Sequence, residues 1–167
     1  MHQPEEMYPA NKGELYALLK KQLAALLEGE TRPLPHLCNA AALVYGALKE
    51  INWAGFYLME KDGLLLGPFQ GKPACIHIPL GKGVCGTAAA EDRAVIVGNV
   101  HLFPGHIACD SASNSEIVIP IRVNGAVAGV LDIDSPLMSR FDEQDRQGLE
   151  ELMALLAAGC NWDHPGL

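Results

Sequence analysis

Basic residues are scarce in this sequence, in which 12 Lys and Arg stand against 20 Asp and Glu and leave a formal net charge of −8. Such a charge opposes binding to nucleic acids and to anionic membranes, so we expect neither as a partner. Long apolar runs are also absent. The longest runs without charged or strongly polar residues, 40–48 and 152–160, fall far short of the roughly 18 residues that span a bilayer.

Export signals and disulfide motifs are likewise missing. The N-terminal residues MHQPEEMYPANK carry acids where a signal peptide is basic and then apolar. The five cysteines are odd in number and include no C-x-x-C pair, which argues against the disulfide framework of a secreted domain. We therefore expect a cytoplasmic protein whose cysteines are thiols.

Apolar residues are abundant instead, since 49% of the sequence is hydrophobic and only 19% is charged. A chain of this composition folds around a sizeable core. One domain typically takes about 100 to 200 residues, and no repeat, linker or low-complexity tract divides this chain. We expect a single domain over residues 1–167, with its core between about 12 and 160.

The periodicity of the apolar residues places helices at both ends of the chain and strands between them. Asn11 followed by Glu14 resembles a capping box, and it precedes leucines at helical spacing. We expect helices at about 12–28, 34–50 and 84–91 and after Asp142, and strands at 51–59, 64–69, 74–80, 94–98, 116–123 and 126–134. Strands bunched between terminal helices, without regular βαβ alternation, indicate an α+β fold with a mostly antiparallel sheet.

The segment GKGVCG matches the spacing G-x-G-x-x-G through Gly81, Gly83 and Gly86. A dinucleotide site built on this motif also needs a βαβ unit and an acid about 20 residues further on, where this chain has HLFPG. The Walker pattern fails too, because Lys82 is followed by glycine. We interpret the segment as a strand-to-helix turn, with nucleotide binding as the alternative.

Four of the cysteines fall within predicted helices or strands. Cys38 and Cys160 lie in apolar helices, where we expect small buried hydrophobic side chains. Cys75 is expected within a strand. Cys85 would begin the short helix, where the positive end of the helix dipole stabilises a thiolate, so we expect some reactivity there.

Cys109 lies in the long segment NVHLFPGHIACDSASNS, whose small polar residues predict a surface loop. Long loops in compact domains are often lids or binding loops. A loop thiol next to Asp110 and near Ser111 and Ser113 is poorly explained by packing, so we interpret Cys109 as functional. His106 could assist its ionisation, or could be a solvated loop histidine.

The segments EIVIPIRV and AVAGVLDID alternate in the manner of two paired strands. A two-residue turn at Asn124-Gly125 would pair Val123 with Ala126 and set the apolar face of one strand beside the wrong face of the other. A three-residue loop with a bulge pairs Val123 with Val127 instead, and we predict that register.

Counting outward from that pair places Glu116 directly opposite Asp134, with Asp132 on the same face one pleat away. Directly opposed Cβ atoms lie roughly 5 Å apart, so three carboxylates meet in a small area. On a face open to water, screening relieves their repulsion. In a pocket, a cation, a metal or a shared proton is required.

Trp53, Gly55 and Tyr57 share one side of the strand INWAGFYL. A glycine between two aromatic residues leaves a slot with apolar walls, although such a pair is also common in protein cores. Together with the acids, this slot would suit a small molecule that carries an ammonium at one end and a neutral, slightly polar group at the other.

Five blocks of the sequence coincide with a known pattern: INWAGFYL, LGPFQGKPAC, GKGVCGTA, GHIACDSASNSEIVIP and GVLDIDS. Between about 50 and 160 the chain thereby resembles the free methionine-(R)-sulfoxide reductases, a catalytic branch of the GAF-domain family. The resemblance implies a GAF-like sheet with a loop-covered ligand pocket. It also implies thiol-dependent reduction of free methionine (R)-sulfoxide to methionine, through a cysteine sulfenic acid and an intramolecular disulfide that thioredoxin recycles.

By the same resemblance, Cys109 matches the catalytic cysteine, Cys75 the principal resolving cysteine and Cys85 a third redox-active cysteine. The positions that match the substrate site are Trp53, Tyr57, Glu116, Asp132 and Asp134. The family further implies a homodimer in the cytoplasm. We expect thioredoxin as external reductant and no bound metal or cofactor.

Two alternatives remain open. A non-catalytic GAF module that binds a small molecule or senses redox state would show no turnover of methionine sulfoxide. A zinc protein could use cysteines and histidines scattered along the chain, although their spacings match no known zinc pattern. The candidate zinc ligands are Cys75, His77, Cys85, His101, His106 and Cys109.

Overall fold

A computed structural model describes residues 8–107 and 110–163 of the chain. In these residues it forms four α-helices: α1 Lys12–Leu27, α2 Pro33–Ala47, α3 Gly83–Glu91 and α4 Glu143–Gly159. The strands are β1 Trp53–Glu60, β2 Gly63–Gly71, β3 His77–Pro79, β4 Val95–Val97, β5 Ser115–Val123 and β6 Ala126–Ser135. Within this described part, no helix has the length and apolar character needed to cross a membrane.

The first and last helices begin where the sequence predicts them, because polar side chains cap their first turns. Asn11 accepts a hydrogen bond from the backbone N–H of Glu14 at 3.0 Å and so opens α1. Asp142 opens α4 in a capping box with Asp145, in which each side chain accepts from the other residue's backbone N–H. A capping group of this kind typically contributes about 1 kcal/mol.

In the described residues, six strands form one sheet in the order β3-β2-β1-β6-β5-β4, and every neighbouring pair is antiparallel. Helices α1, α2 and α4 bury their apolar side chains against one face. Helix α3 packs on the other face with a second, smaller core. This arrangement confirms the expected α+β fold, and it buries the central strands on both sides.

Strand β3 is shorter than predicted, and Cys75 lies before it in an irregular segment instead of within a strand. Pro73 cannot donate to a strand ladder. Two carbonyls of the segment accept hydrogen bonds from side chains: that of Lys72 from Trp53 Nε1 at 3.0 Å, and that of Cys75 from the Tyr57 hydroxyl at 2.9 Å. The segment is therefore tied to aromatic side chains on the sheet face.

The turn between β5 and β6 differs from the predicted three-residue loop. Asn124 and Gly125 form a two-residue turn with φ of +52° and +78°, a left-handed pair typical of type I′ hairpins. Val123 pairs with Ala126 across it, which is the pairing that the alternation argument rejected. The prediction of the turn was therefore wrong.

A β-bulge within the hairpin corrects its phase. Arg122 pairs with Val127, whereas the preceding residue, Ile121, pairs with Gly129. Ala128 therefore has no partner in β5 and is the extra residue of a bulge in β6. Beyond the bulge the register is the predicted one, and Glu116 lies opposite Asp134. The predicted pairing of the acids is thus confirmed, although the bulge that produces it lies inside strand β6 and not in the loop.

The glycine motif forms a strand-to-helix turn at the start of α3, in agreement with its interpretation. Gly81 and Gly83 have φ of +75° and +63°, which residues with side chains rarely adopt. A Cβ on Gly86 would lie 2.4 Å from the carbonyl oxygen of Pro79. Backbone geometry therefore accounts for all three glycines.

Candidate active site

A pocket lies on the face of the sheet opposite the three long helices. Its floor belongs to β1, β5 and β6, one side to the start of α3, and its rim to residues 72–74, 106–107, 110 and 113. The predicted site residues among its lining are Trp53, Tyr57, Glu116, Asp132, Asp134 and Cys85. Among the described residues, the fold therefore brings together all five predicted substrate-site residues and Cys85.

The carboxylates share the pocket floor because of the strand register. Glu116 pairs with Asp134, and Val118 pairs with Asp132, so the three acids project from one face within a single pleat. Glu116 and Asp132 are only 5% and 7% exposed, and Asp134 is half-buried. Screening by bulk water therefore cannot offset their repulsion.

Burial opposes ionisation of these carboxyl groups. Desolvation raises the pKa of Asp132 to about 6, although hydrogen bonds with Glu116 and Cys85 favour its charged form. Desolvation, and then the charges of Asp132 and Asp110, raise the pKa of Asp134 well above its usual range. Oδ1 of Asp132 is buried without a hydrogen-bond partner among the described residues. The floor therefore favours retaining a proton and offers an unsatisfied acceptor to a cationic ligand.

Cys85 lies in the first turn of α3, as predicted, but its surroundings oppose a thiolate. Its Sγ lies 3.9 Å from Oε1 of Glu116. Burial, and then the charges of Asp132 and Glu116, raise the pKa of the Cys85 thiol well above its ordinary value. The prediction of thiolate character was wrong here, because the buried acids outweigh the helix dipole.

The aromatic wall differs from the predicted slot. Trp53 and Tyr57 are both buried, with ring centroids 6.0 Å apart. The side chain of Phe69, on the paired strand β2, fills the space above Gly55, because a Cβ on this glycine would lie 2.2 Å from Cβ of Phe69. Phe69 also stacks on Trp53 with centroids 5.2 Å apart. The space above Gly55 is therefore taken by the base of the Phe69 side chain and the edge of the Trp53 ring, and it is not an open slot.

Cys109 lies outside the described residues. The chain that follows it is held by Asn52, whose Nδ2 donates to Oδ2 of Asp110 and to Oγ of Ser113, both at 3.1 Å. Lys72 Nζ lies 3.8 Å from Oδ1 of Asp110. Sequence reasoning missed Asn52 and Lys72 as site residues. The sequence offers only their positions as a clue: Asn52 directly precedes Trp53, and Lys72 lies three residues before Cys75.

In the described part of the chain, no cluster of three or more potential metal ligands includes a histidine. His77 is exposed on β3, and exposed His101 contacts Oδ1 of Asn114 through Nε2 at 2.9 Å. His106 is half-buried at the rim, with Nε2 3.8 Å from Oε2 of Glu116. Burial, and then His101, lower the pKa of His106, which disfavours the cationic ring as a partner for a thiolate.

The two cysteines without an expected role are less buried than predicted. Cys38 is exposed on α2, and Cys160 is half-buried at the end of α4. In α2 the inward face is built from Leu37, Ala41 and Val44, which turns position 38 toward solvent. A helix that is apolar nearly all round conceals which face points outward.

Comparison with known proteins agrees with this fold. The profile of the GAF domain matches residues 39–159, so the class of protein is that of GAF domains. The free methionine-R-sulfoxide reductase of Escherichia coli K12 is 56% identical over 146 residues, which cover 87% of this chain and 88% of that protein.

Two solved structures extend the comparison. The reduced form of fRMsr of Staphylococcus aureus is 52% identical, with a TM-score of 0.85, and the match covers 87% of this chain and 95% of that one. The free methionine-R-sulfoxide reductase from Neisseria meningitidis, in complex with its substrate, is 42% identical with a TM-score of 0.88 and 95% coverage of each chain. The present chain belongs to the free methionine-R-sulfoxide reductases, an enzyme family with the GAF fold.

Replacing Asp132 by Asn should stabilise the unliganded protein at neutral pH. A carboxyl whose pKa is raised on folding from 3.8 to about 6 destabilises the fold as the pH rises through that window, and the full penalty is present at pH 7. An amide cannot ionise, so the free energy of unfolding at pH 7 should increase by about 1–3 kcal/mol. Urea unfolding as a function of pH measures this.

The matched control is Asp62→Asn in the exposed turn between β1 and β2, which should change the free energy of unfolding by less than about 0.5 kcal/mol. A less stable Asp132→Asn protein at pH 7, with the pH dependence of the parent, would show that the ionised carboxylate supports the pocket.

Proposed function

We propose that this protein reduces free methionine (R)-sulfoxide to methionine, with cysteine thiols as the source of electrons. The buried carboxylates of the pocket floor, beside the wall of Trp53 and Tyr57, are the observation that carries the proposal. The relatives named for this activity, one of them in complex with its substrate, support it.

The floor acids are proposed to hold the α-ammonium of the free amino acid. Glu116, Asp132 and Asp134 concentrate potential negative charge where desolvation opposes ionisation, so an entering cation relieves the repulsion and favours the charged carboxylates. Methionine sulfoxide within a polypeptide has an amide at this position and would leave buried acids without a partner. The site therefore favours the free amino acid over a protein-bound residue.

The aromatic wall is proposed to contact the side chain of the substrate. Trp53 and Tyr57 offer apolar ring surface to the methylene and methyl groups, while the acids hold the other end. One ammonium offsets only part of the cluster, so one of the three acids can keep its proton, which the desolvated floor favours, and donate it to the sulfoxide oxygen during reduction.

Cys109 is proposed as the nucleophile. Its thiolate attacks the sulfoxide sulfur while the oxygen takes a proton from the site acid. In the net step the oxygen passes to the cysteine sulfur, which is oxidised by two electrons to a sulfenic acid, and the sulfoxide is reduced to the thioether of methionine.

Cys75 is proposed to resolve the sulfenic acid. Its thiol condenses with the oxidised Cys109, water leaves, and a disulfide forms that thioredoxin reduces by exchange. The Tyr57 hydroxyl supports this role, because its hydrogen bond to the Cys75 carbonyl ties the resolving segment to the substrate wall. Cys85 is the third redox-active thiol of the proposal, and its burial restricts access by a protein reductant. No resident metal or cofactor takes part.

The cellular setting forms part of the same proposal. A cycle that depends on reduced thiols suits a reducing compartment, so we place the enzyme in the cytoplasm, most simply as a homodimer. The net charge of −8 supports the absence of nucleic-acid and membrane partners.

Replacing Cys109 by Ser should abolish reduction even with thioredoxin, thioredoxin reductase and NADPH present. Cys75→Ser should instead release about one methionine per protein and then stop, because resolution and not attack is lost. Counting methionine per protein by rapid quench distinguishes the two variants.

Cys38→Ser, on the exposed face of α2, is the control and should turn over like the parent. A stoichiometric burst from Cys109→Ser would refute the assignment of the nucleophile. A parent protein that binds methionine sulfoxide without any turnover would be a small-molecule-binding GAF module and not an enzyme.

Acetylation of the substrate amine should lower kcat/KM by about 10- to 150-fold, because a hydrogen bond to a charged group contributes about 1.5–3 kcal/mol. Asp132→Asn and Asp134→Asn should each lower kcat/KM for the free amino acid by a similar factor and reduce the discrimination against the acetylated compound. Asp62→Asn should change neither value. Equal turnover of the two compounds by the parent enzyme would mean that the acids do not recognise the ammonium.

A further inference from the structure

Cys85, Glu116 and Asp132 form a cluster of donor atoms that the proposed reduction does not explain completely. One donor atom from each residue, the thiol sulfur and a carboxylate oxygen of each acid, lies within 4.8 Å of the other two. The three residues are 4%, 5% and 7% exposed. Buried charges normally have a cationic partner or a metal, and this cluster combines two potential anions with a thiol.

A second observation points to a ligand at the same place. Oδ1 of Asp132 is buried and accepts no hydrogen bond from any described residue. Buried polar atoms in folded proteins nearly always have a partner. Asp132 lines the pocket together with Cys85 and Glu116, so a cation that enters the pocket can reach this oxygen.

The distances suit a small divalent ion. Tetrahedral zinc, with bonds of about 2.0–2.3 Å, separates its ligand atoms by about 3.5 Å. Cys85 Sγ is 3.9 Å from Oε1 of Glu116, so a shift of a few tenths of an ångström brings this pair to bonding geometry. His106 Nε2 lies 3.8 Å from Oε2 of Glu116 and offers a nitrogen donor beside this carboxylate.

We propose that Cys85, Glu116 and Asp132 bind a thiophilic divalent cation, of the class of Zn²⁺, in the reduced and substrate-free protein. On binding, the S–H bond of Cys85 breaks, its proton passes to solvent and a metal–sulfur bond forms, with no change of oxidation state. The sulfur ligand selects zinc-like ions over Mg²⁺ and Ca²⁺, which prefer oxygen ligands alone.

The consequence for the enzyme rests on the proposed function. Glu116 and Asp132 are the acids proposed to hold the substrate ammonium, so metal and amino acid compete for the same oxygens. Zinc should therefore inhibit reduction competitively, and free methionine should displace the metal.

Cobalt(II) is the probe that tests the site, because a bound thiolate gives it a charge-transfer band in the near ultraviolet. Titration of the reduced, full-length protein with Co²⁺ should produce this band, and Zn²⁺ should remove it. Cys85→Ser should abolish the band, and Asp132→Asn should weaken cobalt binding by at least about tenfold while keeping the band. Cys38→Ser should bind cobalt like the parent.

Circular dichroism checks that each variant is folded, and Asp132→Asn tests the site if Cys85→Ser is not. A parent protein that gives no thiolate band, a band that persists in folded Cys85→Ser, or unchanged affinity in Asp132→Asn would overturn the proposal. Displacement of cobalt by methionine is scored separately. If the band depends on Cys85 and Asp132 but methionine leaves it intact, the metal site stands and the proposed ammonium site fails.

Discussion

The pairing of Glu116 with Asp134 across two central strands places acidic side chains where water is largely excluded, and the pocket depends on that pairing. Desolvation raises the pKa of Asp132 and Asp134 and, with the acids, that of Cys85. The unliganded fold therefore bears an electrostatic cost that its helix-covered face must offset. A ligand that brings positive charge would recover part of this cost, and the proposed recognition of the substrate ammonium rests on this effect.

The aromatic wall beside these acids is hydrogen-bonded to the segment that carries the proposed resolving cysteine. Trp53 and Tyr57 contribute ring surface to the pocket, and their polar atoms bond the carbonyls of Lys72 and Cys75. Two side chains thus define the shape of the pocket and hold the backbone of the proposed resolving cysteine. Asn52 likewise holds the chain that follows position 109, through hydrogen bonds to the side chains of Asp110 and Ser113. Hydrogen bonds therefore connect the proposed substrate wall directly to the segment of Cys75, and Asn52 directly to the chain that follows position 109.

Local signals in the sequence predicted the helices and the pairing of the acids. They did not predict contacts between residues that are distant in sequence. The caps at Asn11 and Asp142 are visible because a capping side chain acts on its own neighbours. The bulge at Ala128 is not visible in the sequence. The apolar alternation shows that the register of the two strands must shift by one residue, but it does not show at which residue. Phe69, whose Cβ lies over Gly55, belongs to a neighbouring strand, so the pattern of the single strand falsely indicated a slot.

The central claim is that an entering ammonium allows the buried acids to ionise. Proton release on ligand binding tests this claim most directly. Methionine, which has no sulfoxide oxygen to transfer, should be titrated calorimetrically near pH 6 in two buffers with different ionisation enthalpies. Its ammonium should lower the pKa of Asp132 and Asp134, so binding should release protons, and Asp132→Asn should release fewer. Binding that is independent of the buffer, or that takes protons up, would contradict the account.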